Sequence, residues 1–186
     1  MSPKKNPSQS LVALLRGINV GGKHRLLMKE LAELFADAQC SDVRTYIQSG
    51  NVVFKAPPRV VKGLAECIAS NIERRYGFAS PVILRTAEEM AQAVRDNPFL
   101  PDGAPEKALY VYFLAGVPQA SAVQSLDPGR SAPDAFQVVG HQVYLHLPHG
   151  MGRTKLTNAY FDSKLSTIST ARNWATVLTL LEMMRA

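Results

Sequence analysis

Arg16-Gly17-Ile18-Asn19-Val20-Gly21-Gly22-Lys23 places a glycine-dense turn between two cations, directly after an apolar run. Glycine tolerates positive φ, and a chain that can turn this way can point successive backbone N–H groups at an anion. With Arg16 and Lys23 supplying charge and Asn19, Gly21 and Gly22 supplying amide donors, the stretch reads as a candidate anion-binding loop. The plainer reading is a glycine-built turn in which the Asn19 side chain satisfies its own backbone. Gly17 to Lys23 also meets the G-x-x-x-x-G-K part of a phosphate-binding P-loop. However, His24 stands where a P-loop needs Ser or Thr to hold magnesium, and Arg25-Leu26-Leu27 intervenes before the next helical pattern. Nucleotide hydrolysis is therefore not expected.

Three further stretches carry polar chemistry. Gln48-Ser49-Gly50-Asn51 holds more amide and hydroxyl groups than a tight turn requires, so Gln48, Ser49 and Asn51 join Asn19 as candidate ligand contacts, or else fasten two loops together. Gly150 to Asn158 is a second glycine and cation cluster, with Arg153 and Lys155 as candidates. Thr170-Ala171-Arg172-Asn173 reads as a helix start capped by Thr170 or Ser169, which adds Arg172 and Asn173, since a helix N-terminus attracts anions. Metal and nucleophile signals are poor. His146-x-x-His149 has no Cys or acidic residue at ligand spacing, Cys40 and Cys67 form no C-x-x-C pair, and Ser49 lies on a strand-to-strand turn. No metal, no cofactor and no catalytic residue is assigned, and His24, the foremost acid or base, lacks a carboxylate partner in sequence.

The elements that must position these residues follow from periodicity. Leu11 to Arg16 reads as a buried strand; Leu27, Leu31, Leu34 and Phe35 recur at helical spacing from about Met28. Val43 to Gln48 and Asn51 to Lys55 read as a hairpin turning at Ser49-Gly50. If Gln48 opposes Asn51, then Val43, Thr45, Ile47, Val52 and Phe54 share one face, and Arg44, Tyr46, Val53 and Lys55 the other. One helix from about Arg59 to Tyr76 and a strand Pro81 to Leu84 complete β-α-β-β-α-β, the ferredoxin-like unit. After a short helix, Ala87 to Arg95, and a proline-rich connection, a second half reads as strand Lys107 to Leu114, helix Gln119 to Leu126, a hairpin turning at Gly140-His141, and helices Asn158 to Leu165 and Ala171 to Met184. The second half lacks an evident final strand. The fold class is α+β: two ferredoxin-like (α-β plait) halves with antiparallel sheets and C-terminal helices. The expected organisation is a disordered tail 1–10, a first half 11–96, a linker 97–106 and a second half 107–186. RNA-recognition modules share this topology and stack bases on sheet aromatics, so Tyr46, Tyr110, Tyr112, Tyr144 and His146 are the rings to place. Amphipathic rings are common at contacts, and covered faces are the expectation.

Composition sets the wider limits. Formal charge is +6, from 21 Lys and Arg against 15 Asp and Glu, which favours an anionic partner. Two cysteines without disulfide spacing read as reduced, partly buried thiols, and the apolar run Leu11 to Leu15 is too short for a signal core or a span. A cytoplasmic protein with no membrane partner is expected; the oligomeric state is not legible.

Leu15 to Gly22, Thr45-Tyr46-Ile47-Gln48-Ser49-Gly50-Asn51-Val52-Val53-Phe54 and Thr170-Ala171-Arg172-Asn173-Trp174 together resemble the bacterial family known as domain of unknown function 1697. The similarity runs over nearly the whole chain after the tail. It implies an α-β plait fold and supplies no reaction. The leading expectation is a binding protein that takes a phosphate-bearing small molecule or a nucleic-acid backbone. The alternatives are an enzyme acting on a small anionic substrate at the same place, and an interaction module whose polar loops brace the fold.

Overall fold

The structure is a computed structural model and describes residues 8–186. Most of the expected tail lies outside the described residues, but Gln9 and Ser10 already belong to the first strand. The chain divides into two compact units, one holding the chain up to Met90 with Leu180–Ala186, the other Ala91–Thr179. The division falls inside a helix rather than in the 97–106 connection.

In the first unit, β1 (Gln9–Leu15), α1 (Met28–Asp37), β2 (Ser41–Tyr46), β3 (Asn51–Ala56), α2 (Pro58–Val61), α3 (Leu64–Tyr76) and β4 (Val82–Thr86) build an antiparallel sheet in the order β2-β3-β1-β4. This is the ferredoxin-like order. Side chains alternate across a strand, so Leu11, Ala13 and Leu15 of β1 and Val52, Phe54 and Ala56 of β3 share one face. They form a core with Leu31, Leu34 and Phe35 of α1 and Leu64, Ile68 and Ile72 of α3. The expected single helix from Arg59 is broken: Gly63 takes φ 79 and separates α2 from α3, because the left-handed conformation cannot continue a helix.

The hairpin also differs in register. Tyr46, not Gln48, opposes Asn51, so Ile47–Gly50 forms a four-residue loop. A shift of two residues preserves which side chains share a face, so the expected faces of Thr45, Val52 and Phe54 against Arg44 and Val53 stand.

After α4 (Ala87–Arg95), the second unit runs β5 (Leu109–Leu114), α5 (Ala120–Gln124), β6 (Ala135–Val139), β7 (Gln142–His146), α6 (Asn158–Leu165), β8 (Ser169–Asn173) and the start of α7 (Trp174–Arg185). Its sheet order, β6-β7-β5-β8, repeats that of the first. The missing final strand is therefore present, and it is the segment expected to open a helix: Ser169–Asn173 pairs along β5, and α7 begins only at Trp174. Its helix-facing core joins Tyr112, Leu114, Val143 and Leu145 to Phe161 and Leu165.

The aromatic question resolves as covered for the central rings. Tyr112 is buried against Phe161 and donates its hydroxyl to Leu156 O at 2.9 Å. Tyr144, on the opposite face, is fully buried and donates to Ala93 O of α4 at 2.9 Å. Burial pushes the Tyr144 hydroxyl well above the ordinary tyrosine range, with the Asp96 carboxylate adding to it. Tyr110 and Tyr46 are half-buried.

Gly50 gives the fold its sharpest steric test. It holds φ 77, and an added Cβ would lie 2.7 Å from Leu15 Cβ and 3.0 Å from Ile18 Cδ1. Strain and overlap together predict that Gly50→Ala destabilises by roughly 2–4 kcal/mol. Gly21, at φ 58 with no atom within 4 Å of such a Cβ, carries strain alone, so Gly21→Ala costs only about 1–2 kcal/mol. Chemical denaturation of the two variants checks the ordering.

Candidate functional site

The glycine loop of the first unit is a small hairpin of its own. Gly21 and Gly22 take φ 58 and 73, Lys23 N donates back to Val20 O at 3.0 Å, and Asn19 N donates to His24 O at 3.1 Å. Two left-handed residues in succession suit a two-residue hairpin turn, whereas an anion nest alternates hands. No helix starts at Lys23; α1 begins at Met28, so helix N–H groups do not face the turn as in a P-loop.

Asn19 determines where this hairpin sits. Its side-chain Nδ2 donates to Leu26 O and to Gln48 O, each at 2.9 Å, and its Oδ1 accepts from Leu26 N at 2.9 Å. The amide therefore fastens the glycine loop to the β2–β3 turn. Below it, Asn51 is fully buried and donates to Tyr46 O and Ser49 Oγ, each at 3.1 Å, which closes the turn from inside. Leu15 N donates to Gly50 O at 2.8 Å, Arg16 N to Pro81 O at 3.0 Å, and Ser80 Oγ to Arg16 O at 2.9 Å, tying the exit of β1 to both neighbours. Lys23, His24, Arg25 and Gln48 stay exposed around this knot, and Arg16 is half-buried. His24 stacks on Phe78 with ring centroids 4.7 Å apart, and its Nδ1 lies 2.9 Å from Gly17 O. A carbonyl only accepts, so Nδ1 is the donor in this contact.

The second-unit candidates separate. Arg153 and Lys155 are exposed and line a cleft of about 320 Å³ with Gly129 to Asp134 and His149. Arg172 is neither a surface cation nor part of a helix start. It is buried in β8, donates to Thr170 Oγ1 at 2.9 Å and Ala171 O at 2.7 Å, and burial pulls its guanidinium down to about 10. Asn173, with its Oδ1 accepting from Thr176 N at 2.8 Å, caps α7 in the role expected of Thr170 or Ser169. It lines a cleft of about 500 Å³ with Glu106, Lys107, Tyr110 and Trp174.

The profile of the family described as "Protein of unknown function (DUF1697)" matches residues 9–144. The chain belongs to the DUF1697 family. No protein with a curated description matches it. Among solved structures, the conserved bacterial protein SP0830 from Streptococcus pneumoniae is similar over 97% of this chain and 100% of its own, with TM-score 0.73 and 19% identity. That likeness shows the fold: two plait units in one chain.

Within this DUF1697 chain, the loops of Asn19 and Asn51 meet as the sheet topology requires, since the start of β3 lies beside the end of β1. What sequence reasoning passed over is Arg130, which lines the same cleft as Arg153 and Lys155; its neighbourhood, Asp127-Pro128-Gly129-Arg130, reads as an ordinary turn. The thiols also diverge from the expectation that both are partly buried: Cys40 is buried and Cys67 exposed. Among the described residues no helix is long and apolar enough to cross a membrane, and no three His, Cys, Asp or Glu residues group as metal ligands.

Two measurements follow from this geometry. Removing the Asn19 amide strands Leu26 N and two carbonyls at a residue of φ 55, so Asn19→Ala lowers stability by about 2–3 kcal/mol, read by denaturant titration. Burial, with the charge of Cys67 adding to it, pushes the Cys40 thiol from 9.0 to about 11. The folded state therefore keeps a proton that the unfolded chain releases: this contribution is intact below pH 9 and is lost as pH rises toward 11. A thiol reagent at neutral pH modifies Cys67 promptly and Cys40 only on unfolding.

Proposed function

We propose that this protein is a binding protein for phosphate-bearing ligands, above all a nucleic-acid backbone, received at the loop cluster of the first unit. The observation that carries the reading is the Asn19 knot. By bonding Leu26 O and Gln48 O at 2.9 Å each, it holds the cationic loop and the β2–β3 turn at one edge of the sheet. From Arg16 to Lys29 the chain has four cations, Arg16, Lys23, Arg25 and Lys29, and no acidic residue; Tyr46 to Gly50 has none either. A local excess of one sign of charge on exposed side chains favours a polyanion. The exposed amide of Gln48 adds a neutral donor beside them. The reading is one of binding rather than catalysis because no acidic residue between Arg16 and Lys29 stands beside His24, the group best suited to proton transfer there. Two free thiols support a cytoplasmic setting.

Fluorescence anisotropy with a labelled single-stranded oligonucleotide tests the proposal. Affinity should fall steeply with added salt, because neutralised phosphates release their counterions. Lys23→Ala and Arg25→Ala should each reduce the log–log salt slope by about 0.7–1, with stability changed by no more than about 0.5 kcal/mol. Absence of binding at low salt, or slopes that these substitutions leave untouched, would sink the nucleic-acid reading.

A further inference from the structure

The second unit carries a cation cluster that the loop site does not use. Arg130, Arg153 and Lys155, with His149, line the cleft of about 320 Å³, and Asp134 is the one carboxylate lining it. Three cations against one anion leave the cleft strongly positive. Asp134 is moreover engaged: its Oδ2 accepts from Ser131 Oγ at 2.7 Å.

The walls are fixed before any ligand arrives. Ser131 Oγ accepts from Lys155 N at 2.9 Å and lies 3.4 Å from Thr154 Oγ1, which joins the 129–134 loop to the irregular run beyond Arg153. Arg130 Nε donates to Lys155 O at 3.0 Å, and its guanidinium carbon sits 4.2 Å above the centre of the Tyr160 ring. Tyr160 is itself anchored, accepting from Asp127 N at 3.0 Å through its hydroxyl. One edge and one face of the Arg130 fork are thus spent on orientation, while the side chains of His149, Arg153 and Lys155 make no hydrogen bond or ion pair among the described residues. A guanidinium held this way loses little freedom on binding an oxyanion, and its fork geometry matches phosphate.

We infer that this cleft is a second receptor, for the phosphate group of a small phosphomonoester. Three cations lining one cleft call for a ligand with more than one negative charge, which a phosphomonoester has at neutral pH and a lone carboxylate does not. The volume lies at the lower end of ligand pockets, roughly 300–1,000 Å³, which suits a phosphate with a compact organic group rather than an extended strand. The site is independent of the loop cluster: it lies in the other unit and stands or falls without it.

The test titrates the full-length protein with glycerol phosphate and with inorganic phosphate, following melting temperature and heats of binding. Glycerol phosphate should raise the melting temperature with concentration as mass action requires, and bind more tightly than inorganic phosphate. Arg153→Ala and Lys155→Ala should each weaken binding by about tenfold or more while leaving the ligand-free melting temperature unchanged. Lys155→Met, which keeps the aliphatic stem, should show the same loss, and Lys23→Ala, in the other unit, none. The inference is overturned if sodium chloride of equal ionic strength reproduces the shift, if the Arg153→Ala and Lys155→Ala proteins bind like wild type, or if Lys23→Ala is the variant that loses binding.

Discussion

The side-chain amide of Asn19 is the constraint on which the first-unit site depends. An irregular loop must find partners for its backbone polar groups, and between Arg16 and Leu27 the Val20 to Lys23 turn, the Asn19–His24 pair and the His24 Nδ1 contact to Gly17 O meet some of them locally. The Asn19 side chain meets more, using both amide atoms on Leu26 and reaching Gln48 across to the next turn. Asparagine is suited to this because it tolerates the left-handed φ of 55 that turns its side chain inward, and because it donates and accepts at once. An aspartate of the same shape could not donate to two carbonyls. Since structural bonds are met by this amide and by buried Asn51, the exposed charges of Lys23, Arg25 and Lys29 are not needed to hold the loops.

The sequence makes the first unit legible because its signals are local. A continuous apolar run marks β1, Leu31, Leu34 and Phe35 mark α1, and alternation assigns Thr45, Val52 and Phe54 to one face and Arg44 and Val53 to the other even though the register is off by two; Ile47, expected on the Phe54 face, lies in the turn and is exposed. What escapes is set by distant partners. Ser169-Thr170-Ala171-Arg172-Asn173 is polar and short and has no strand pattern of its own; β5 makes it a strand by pairing from Leu114↔Ser169 to Tyr110↔Asn173. Ser169 is then fully buried, donating to Asp162 Oδ1 at 2.6 Å and accepting from Asn158 Nδ2 at 2.8 Å, which ties α6 to the strand. Propensity is a weak guide where pairing and burial decide. The break at Gly63 escapes for the opposite reason: Val60, Leu64 and Ile68 keep helical spacing across it.

The candidate site was legible in part for the same physical reason. Residues close in sequence that share one loop, such as Arg16 to Lys23, can be grouped by reading, and so can Arg153 with Lys155. Grouping Arg130 with them requires the Ser131–Lys155 and Arg130–Lys155 bonds, which link positions more than twenty residues apart and leave no periodic trace. Arg172 shows the converse error. Its chemistry suggests an anion ligand, but its place in a central pairing, opposite Val111, buries it.

That burial has a counterpart in the first unit, where Arg85 of β4 stands opposite Val12 just as Arg172 of β8 stands opposite Val111. Both lie on the sheet face turned away from the helical core, both are buried, and burial is the largest influence lowering each guanidinium. The face is apolar around them: Val12, Leu14, Val53 and Ile83 in one unit, Val111, Phe113 and Tyr144 in the other, all buried. In an isolated plait this face commonly meets water or a ligand. Here helical segments contribute to it within each unit: Ser10 Oγ donates to Met184 O at 2.9 Å in the first, and Tyr144 to Ala93 O in the second. The central-strand side chains of that face, on which RNA-recognition plaits stack bases, are therefore buried in both units. The exposed cations lie instead at the loop edges, so the proposed polyanion reading is one of backbone charge rather than of bases.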